Sequence, residues 1–285
     1  MTTLSILLEG NACSWGKLAT NHGNAVISDV IRSVVSFANA HLSLSSGNKL
    51  LLFMFASGLK KKLLFNSRRS ASTDFSIEMI KAIRETLHTS ASTDDISTAT
   101  PLAGVLCHSI CHMKQSSNSD LKEASSENPT ITNTHFINGR VVIISMTEDF
   151  GSEHGPLMNL FFSSAKHGIC VDVISLGPAS PLLQQAADIT SGMFIQIDNP
   201  KKLLCKMMTN VLGHPSSRSI FPQPHLTTVD YRASCACHHQ LVSTGWVCSV
   251  CLSVLCQFVP ICTSCGAVFK ISGFPKKVIK RKRKE

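Results

Sequence analysis

Aromatic and charged side chains are both sparse in this sequence, at 6% and 16% of 285 residues. No apolar run approaches the ~20 residues that a membrane-spanning helix needs. The longest runs, near residues 50–56 and 141–144, have strand length, so the chain is expected to be soluble with no membrane partner. Catalytic motifs are also missing: there is no Gly-x-x-x-x-Gly-Lys-Ser/Thr phosphate loop, no Gly-x-Ser-x-Gly elbow and no His-Glu-x-x-His helix. The chain is therefore read as a non-enzyme, with no catalytic residue and no small-molecule substrate. No basic stretch precedes the apolar residues of the N-terminus, which meet Glu9 at once, so no secretory signal is read there. That points to a reducing compartment, where clustered thiols hold metal more readily than they form disulfides.

A net excess of positive charge is small over most of the chain as well. Residues 276–285 supply six of the nine net positive charges, which excludes a broadly basic nucleic-acid-coating surface. The terminal tail reads equally as a solvated end, a nuclear-import signal or a phosphate contact.

What is present is alternation. Short apolar runs at residues 4–8, 50–56, 140–146, 169–176 and 193–197 read as strands. Between them, Ile27, Val30, Ile31, Val34, Ala38 and Leu42 recur at helical spacing, as do Ile77, Ile80, Ile83 and Leu87. This order predicts an α/β fold, a mostly parallel sheet with helices on both faces. Thr100-Pro101, Ser180-Pro181 and Asn199-Pro200 each place a capping side chain before a proline and predict helix starts. Ser/Thr/Asn-rich stretches at residues 66–74, 89–100 and 115–134 read as surface loops. Boundaries are set at 1–212 for the α/β domain, 213–230 for a proline-containing linker, 231–275 for a small module and 276–285 for the basic tail.

The module holds seven of the twelve cysteines between Cys235 and Cys265, in a segment too short to build a core unaided. Cys248-x2-Cys251 and Cys262-x2-Cys265 are spaced to turn four sulfurs toward one ion. Four thiolates fill the tetrahedron of Zn2+, so the zinc is expected to be structural. Gly266 suits the turn after the second pair, since positive φ costs glycine little. Cys235, Cys237, His238, His239 and Cys256 could supply a second site of mixed ligands. Spacing fixes neither their connectivity nor their choice as ligands, and buried thiols with surface imidazoles are the preferred reading.

Longer stretches carry a resemblance: Val229-Asp230-Tyr231-Arg232-Ala233, Cys235-x-Cys237-His238, Gly245-Trp246-Val247-Cys248-Ser249-Val250-Cys251-Leu252-Ser253 and Pro260-Ile261-Cys262-Thr263-Ser264-Cys265. Upstream, Trp15-Gly16-Lys17, Pro101-Leu102-Ala103-Gly104 and the run from Leu182 to Gly192 extend it. The sequence resembles the smaller von Willebrand factor A-plus-zinc-finger subunits of general transcription factor IIH (TFIIH), from about Leu4 to Phe274. The resemblance implies a von Willebrand factor A (Rossmann-like) domain with a C-terminal zinc-finger module in a non-catalytic nuclear complex subunit. It implies action in RNA polymerase II transcription initiation and nucleotide excision repair. Its partners would be the other core subunits of the complex, chiefly the larger von Willebrand-plus-RING subunit. DNA would be met only indirectly or through the basic tail.

Such domains can hold Mg2+ on an Asp-x-Ser-x-Ser loop. Here the loop reads Glu9-Gly10-Asn11-Ala12-Cys13, with Thr100 and Glu148 or Asp149 as further candidates. Sulfur at Cys13 replaces a hard oxygen donor, so Mg2+ is not expected. Cys107-His108 and Cys111-His112, one helical turn apart, read as packed small hydrophobes with flanking histidines. Trp15 and Trp246 read as packing residues. Two other functions fit the cysteines: a zinc-dependent nucleic-acid-binding module, and a RING-like ubiquitin ligase with a two-metal brace. The few aromatics near the cysteines, Tyr231, Trp246, Phe258, Phe269 and Phe274, make a poor base-stacking platform.

Overall fold

The computed structural model describes residues 2–59, 62–70, 74–92, 101–124, 139–220, 229–238 and 240–269, with the side chains of 118–124, 216 and 219 excepted. Thr100, His239 and the basic tail lie outside the described residues. The chain divides into two compact units, Met1–Tyr231 and Arg232–Glu285.

The first unit runs β1 (Thr3–Glu9), α1 (Ala12–His22), α2 (Ala25–Leu44), β2 (Lys49–Phe55), β3 (Leu63–Asn66), α3 (Phe75–Ser92), α4 (Leu102–Ala124) and β4 (Gly139–Ser145). It continues with α5 (His154–Lys166), β5 (Cys170–Ser175), α6 (Pro181–Ile189), β6 (Phe194–Gln196) and α7 (Leu203–Lys206). The sheet order is β3-β2-β1-β4-β5-β6, parallel except for the edge strand β3.

Alternation of side chains across a strand explains the two cores. Leu4, Ile6, Leu8, Leu50, Leu52, Met54, Val142 and Ile144 face one layer of α1, α2, α3 and α7. Leu7, Leu51, Phe53, Phe55, Val141, Ile143, Val171 and Val173 face α4, α5 and α6. Strands covered on both faces become near-continuous apolar runs, which is what made them legible in the sequence. The fold is of von Willebrand factor A type.

Several local expectations need correction. Ser180 stands at the N-cap of α6, but its side chain makes no capping bond and its buried Oγ has no partner among the described residues. Pro181 starts that helix without it. Asn199 does cap, accepting from the Lys201 N–H at 3.1 Å, although the turn it opens is 3-10. The stretches read as loops at 89–100 and 115–134 are entered by α3, which runs to Ser92, and α4, which runs to Ala124. Serine and asparagine weaken a helix without forbidding it once one face is anchored in a core.

The expected linker is tied down at both ends. Arg218 is buried against Asp172. Downstream, the Gln185 side chain donates to the Asp230 carbonyl, and the Tyr231 hydroxyl meets Asp188. Gly192, which ends the Leu182–Gly192 motif, has a close-approach role. A Cβ there would overlap the Val171 carbonyl of β5, so the turn from α6 into β6 passes against the sheet only as glycine.

Candidate metal centre

Parallel α/β sheets bind ligands where strand order reverses, outside the carboxyl ends of the strands. Here that point lies between β1 and β4, where β1 ends at Glu9 and β4 at Ser145. The Glu9 side chain is fully buried. Its Oε2 accepts from the Met146 and Thr147 N–H groups at 2.7 and 3.0 Å and from Ser145 Oγ at 3.2 Å, while Oε1 accepts from Thr147 Oγ1 at 2.6 Å. Four donors turn the carboxylate inward and compensate its burial.

A cavity of about 470 Å³ outside this knot is lined by Asn11, Cys13, Ser14, Lys17, Glu148 and Asp149 among others. An Mg2+ ion would need hard oxygen donors there. Oxygen donors line the cavity at Asn11, Ser14, Thr147, Glu148 and Asp149, but the Glu9 carboxylate is taken up by protein donors, Cys13 presents a soft sulfur and Lys17 a competing ammonium.

The cysteines of α4 do not pack as expected. Cys107 and Cys111 are exposed, because the buried face of the helix is Leu102, Val105, Leu106, Ser109, Ile110 and Met113. His108 and His112 lie instead over Phe53, with ring centroids at 5.8 and 6.1 Å, and 4.8 Å from each other. Trp15 is buried and donates its indole N–H to the Glu9 carbonyl at 2.8 Å, so its packing role holds. Trp246 does not: it is 58% exposed, meeting Phe258 edge-on at 5.4 Å.

The second unit consists of two short hairpins, β7 (Ala233–Ser234) with β8 (Leu241–Val242) and β9 (Trp246–Val247) with β10 (Val254–Leu255). Among the described residues its buried apolar side chains are Cys235, Cys248, Leu255 and Cys262. Three thiols and one leucine are too little apolar surface to outweigh the entropy of ordering the segment.

Cys248, Cys251, Cys262 and Cys265 bring their sulfurs within 4.8 Å of one another. The separations Cys248–Cys265 and Cys251–Cys262 are 3.7 and 3.6 Å. A tetrahedron with sulfur about 2.3 Å from its centre has an edge of about 3.8 Å. Two of the six edges thus match such a tetrahedron, and the group could hold a metal such as zinc.

Two matching turns place them. The Leu252 N–H donates to the Cys248 carbonyl at 2.9 Å, and the Gly266 N–H to the Cys262 carbonyl at 2.9 Å. Both residues after the pairs have positive φ, 60° at Leu252 and 71° at Gly266. Sequence reasoning found the glycine and missed the leucine, because only glycine advertises that conformation.

Cys235, Cys237, His238 and Cys256 form a second group within the same limit. His239, the remaining candidate, lies outside the described residues. Crowding shows in how the thiols titrate. Hydrogen bonds from Ser253 pull Cys251 down to about 6, while the Cys237 thiol beside Cys256 holds it up to about 11. Adjacent thiols cannot all shed protons without a cation among them.

Fold and site define a class: a von Willebrand factor A-type domain whose strand-end carboxylate is bonded to its own backbone, followed by a cysteine-rich module whose ligand clusters could hold a metal such as zinc. The family described as "Transcription factor Tfb4" has a sequence model that matches residues 1–266, and the chain belongs to that family. It is 28% identical over 289 residues to the general transcription and DNA repair factor IIH subunit tfb4 of Schizosaccharomyces pombe, covering 96% of this chain and 91% of that protein. It is 38% identical over 139 residues to the general transcription factor IIH subunit 3 of Dictyostelium discoideum, covering 48% of this chain and 37% of that protein. Among solved structures, the TFIIH p34 N-terminal domain aligns with a TM-score of 0.60 at 22% identity, covering 73% of this chain and 96% of that chain. That likeness bears on the fold of the first unit.

Proposed function

We propose that the chain is a non-catalytic structural subunit of the TFIIH core complex, acting in the nucleus in RNA polymerase II transcription initiation and nucleotide excision repair. The observation that carries this reading is the family match across both units, residues 1–266, with relatives that bear that factor's subunit names. The Glu9 carboxylate at the strand ends supports a role in architecture, since protein donors occupy it.

In this reading the first unit docks onto the larger von Willebrand-plus-RING subunit. One Zn2+ held by Cys248, Cys251, Cys262 and Cys265 gives the second unit its shape. Trp246, Val247 and Phe258, exposed on that unit, are suited to anchoring a protein partner. DNA is met indirectly or through residues 276–285.

The test is co-purification. Tagged protein isolated from nuclear extract in mild salt is expected to bring the other core subunits with it in stoichiometric amounts, and migration of the chain alone would sink the proposal. A nucleic-acid-binding module would instead keep salt-sensitive DNA affinity after deletion of residues 276–285.

The alternation of the two ligand groups along the chain favours one further reading, a two-metal brace of ubiquitin-ligase type. A ubiquitin-transfer assay with the purified chain separates it. Product that depends on Cys248 would favour the ligase, and its absence the scaffold.

A further inference from the structure

Three turns in the second unit share one hydrogen bond. The Cys248 N–H donates to the Ser253 carbonyl at 3.0 Å, the Cys262 N–H to the Ala267 carbonyl at 2.8 Å, and the Cys235 N–H to the Gln240 carbonyl at 2.9 Å. In each, a cysteine amide bonds five residues ahead, and a second metal-ligating side chain stands three residues ahead: Cys251, Cys265 and His238. Cys235 and His238 thus repeat the amide bond and the ligand spacing of the other two pairs, with an imidazole in place of one thiol. The intervening Cys237 hides this Cys-x2-His spacing in the sequence.

We propose that Cys235, Cys237, His238 and Cys256 bind a second structural Zn2+, and that the two zinc sites are interleaved so that each holds the chain the other needs. The Cys237 and Cys256 sulfurs are 3.2 Å apart, and His238 Nδ1 lies 3.3 Å from Cys256 Sγ and 3.9 Å from Cys235 Sγ. A centre with Zn–S of about 2.3 Å and Zn–N of about 2.0 Å has edges of about 3.5 to 3.8 Å, so these separations bracket what it requires. Three thiolates and one neutral imidazole complete the coordination with protein atoms, which leaves no position for a reacting ligand.

The interleaving follows from ligand order. Closing the Cys235 group joins residues 238 and 256 around the Cys248-x2-Cys251 turn. Closing the Cys248 group joins residues 251 and 262 around Cys256. The Ala236 N–H donates to the Val254 carbonyl of β10 at 2.7 Å, which carries the first turn to the strand leading into Cys256. Loss of either ion therefore frees a strand that the other ion's ligands flank.

Native mass spectrometry of the full-length chain, purified in zinc under reducing conditions, tests this. Two zinc ions per chain are expected, falling to one or none in His238→Ala, a change at an exposed side chain. His238→Cys should keep both ions. With cobalt substituted for zinc, that variant should move the visible d–d bands to the longer wavelengths of a second tetrathiolate centre. One zinc in the wild-type chain, unchanged in His238→Ala, would overturn the proposal. So would a chain two hydrogens lighter that regains them on stronger reduction, since Cys237 and Cys256 would then be a disulfide. The inference rests on zinc at the Cys248 group only as its reference. One ion defeats the second site alone, no ions defeat both, and neither result touches the co-purification test.

Discussion

Arg218 closes on Asp172 with two parallel bonds, Nη1 to Oδ1 at 2.7 Å and Nη2 to Oδ2 at 2.6 Å, in a buried pocket beneath the sheet. Asp172 lies on β5, whereas Arg218 comes from the 3-10 turn Pro215–Ile220. A second guanidinium, Arg140, reaches the same carboxylate at 3.4 Å but directs its closer bonds to the carbonyls of Val211 and, at 2.8 Å, Gly213. Arg218 is therefore the principal counter-charge. Arg218→Ala should destabilise the first unit by roughly 3 kcal/mol or more, because a buried carboxylate is left poorly paired. Arg218→Lys should recover only part of this, having no fork. Urea unfolding with a tryptophan signal measures both, and a change within about 0.5 kcal/mol for the alanine variant would contradict the assignment.

Metal removal should act on one unit. With three thiols and Leu255 as its buried apolar groups, the second unit depends on ions whose binding contributes on the order of 10 kcal/mol in comparable modules. Chelation, or Cys248→Ser, is expected to abolish amide protection across residues 232–269 and leave β1, β2 and β4 protected. Hydrogen exchange read by mass spectrometry checks this, and protection that survives chelation in the second unit would refute it.

Leu252 has φ 60° and is 72% exposed, so its side chain contributes little where its backbone is strained. Leu252→Gly should strengthen zinc retention by about 0.5 to 1 kcal/mol, the left-handed penalty removed less the extra entropy of glycine. Competition with a chromophoric chelator provides the readout. Weaker retention in the variant would show that Leu252 contributes contacts worth more than the strain.

His41 is buried and its Nε2 has no hydrogen-bond partner among the described residues. Burial first, then the nearby Arg140 charge, hold its imidazole below the ordinary value. A depressed histidine favours the neutral folded form, so its contribution to stability is complete above the unfolded pKa of about 6.5 and declines as the unfolded chain takes up protons below it. Stability measured by urea unfolding should thus fall between about pH 7 and about pH 5. His41→Gln should flatten that segment of the curve, and an unaltered slope in the variant would assign the effect elsewhere.

Glu9→Ala leaves the N–H groups of Met146 and Thr147 without their acceptor and should cost roughly 3 kcal/mol, whereas Glu9→Gln, which can turn its oxygen to those groups and its amide N–H to the Thr147 hydroxyl, should cost about 1 kcal/mol. Because the wild-type carboxylate is already saturated, Mg2+ at millimolar concentration should leave the melting temperature unchanged. A clear rise would mean that the carboxylate turns outward to meet the ion.

The sequence by itself determined the strands, because β1, β2, β4 and β5 are covered on both faces and must be apolar nearly throughout. It also picked out Cys248, Cys251, Cys262 and Cys265, which the fold brings within 4.8 Å of one another, because short turns that aim paired sulfurs at one point demand fixed local spacing. Only the tertiary structure decided what depends on residues distant in the chain. Glu9 became a knot and not a ligand because Ser145, Met146 and Thr147 arrive beside it on β4. Residues near 218 joined the first unit because Asp172 is buried with a charge to balance. His238 became the fourth corner of a second cluster because Cys256 is brought back across a turn that holds other ligands. Local patterns report local geometry, whereas a buried charge or a shared ion is settled by which parts of the chain meet.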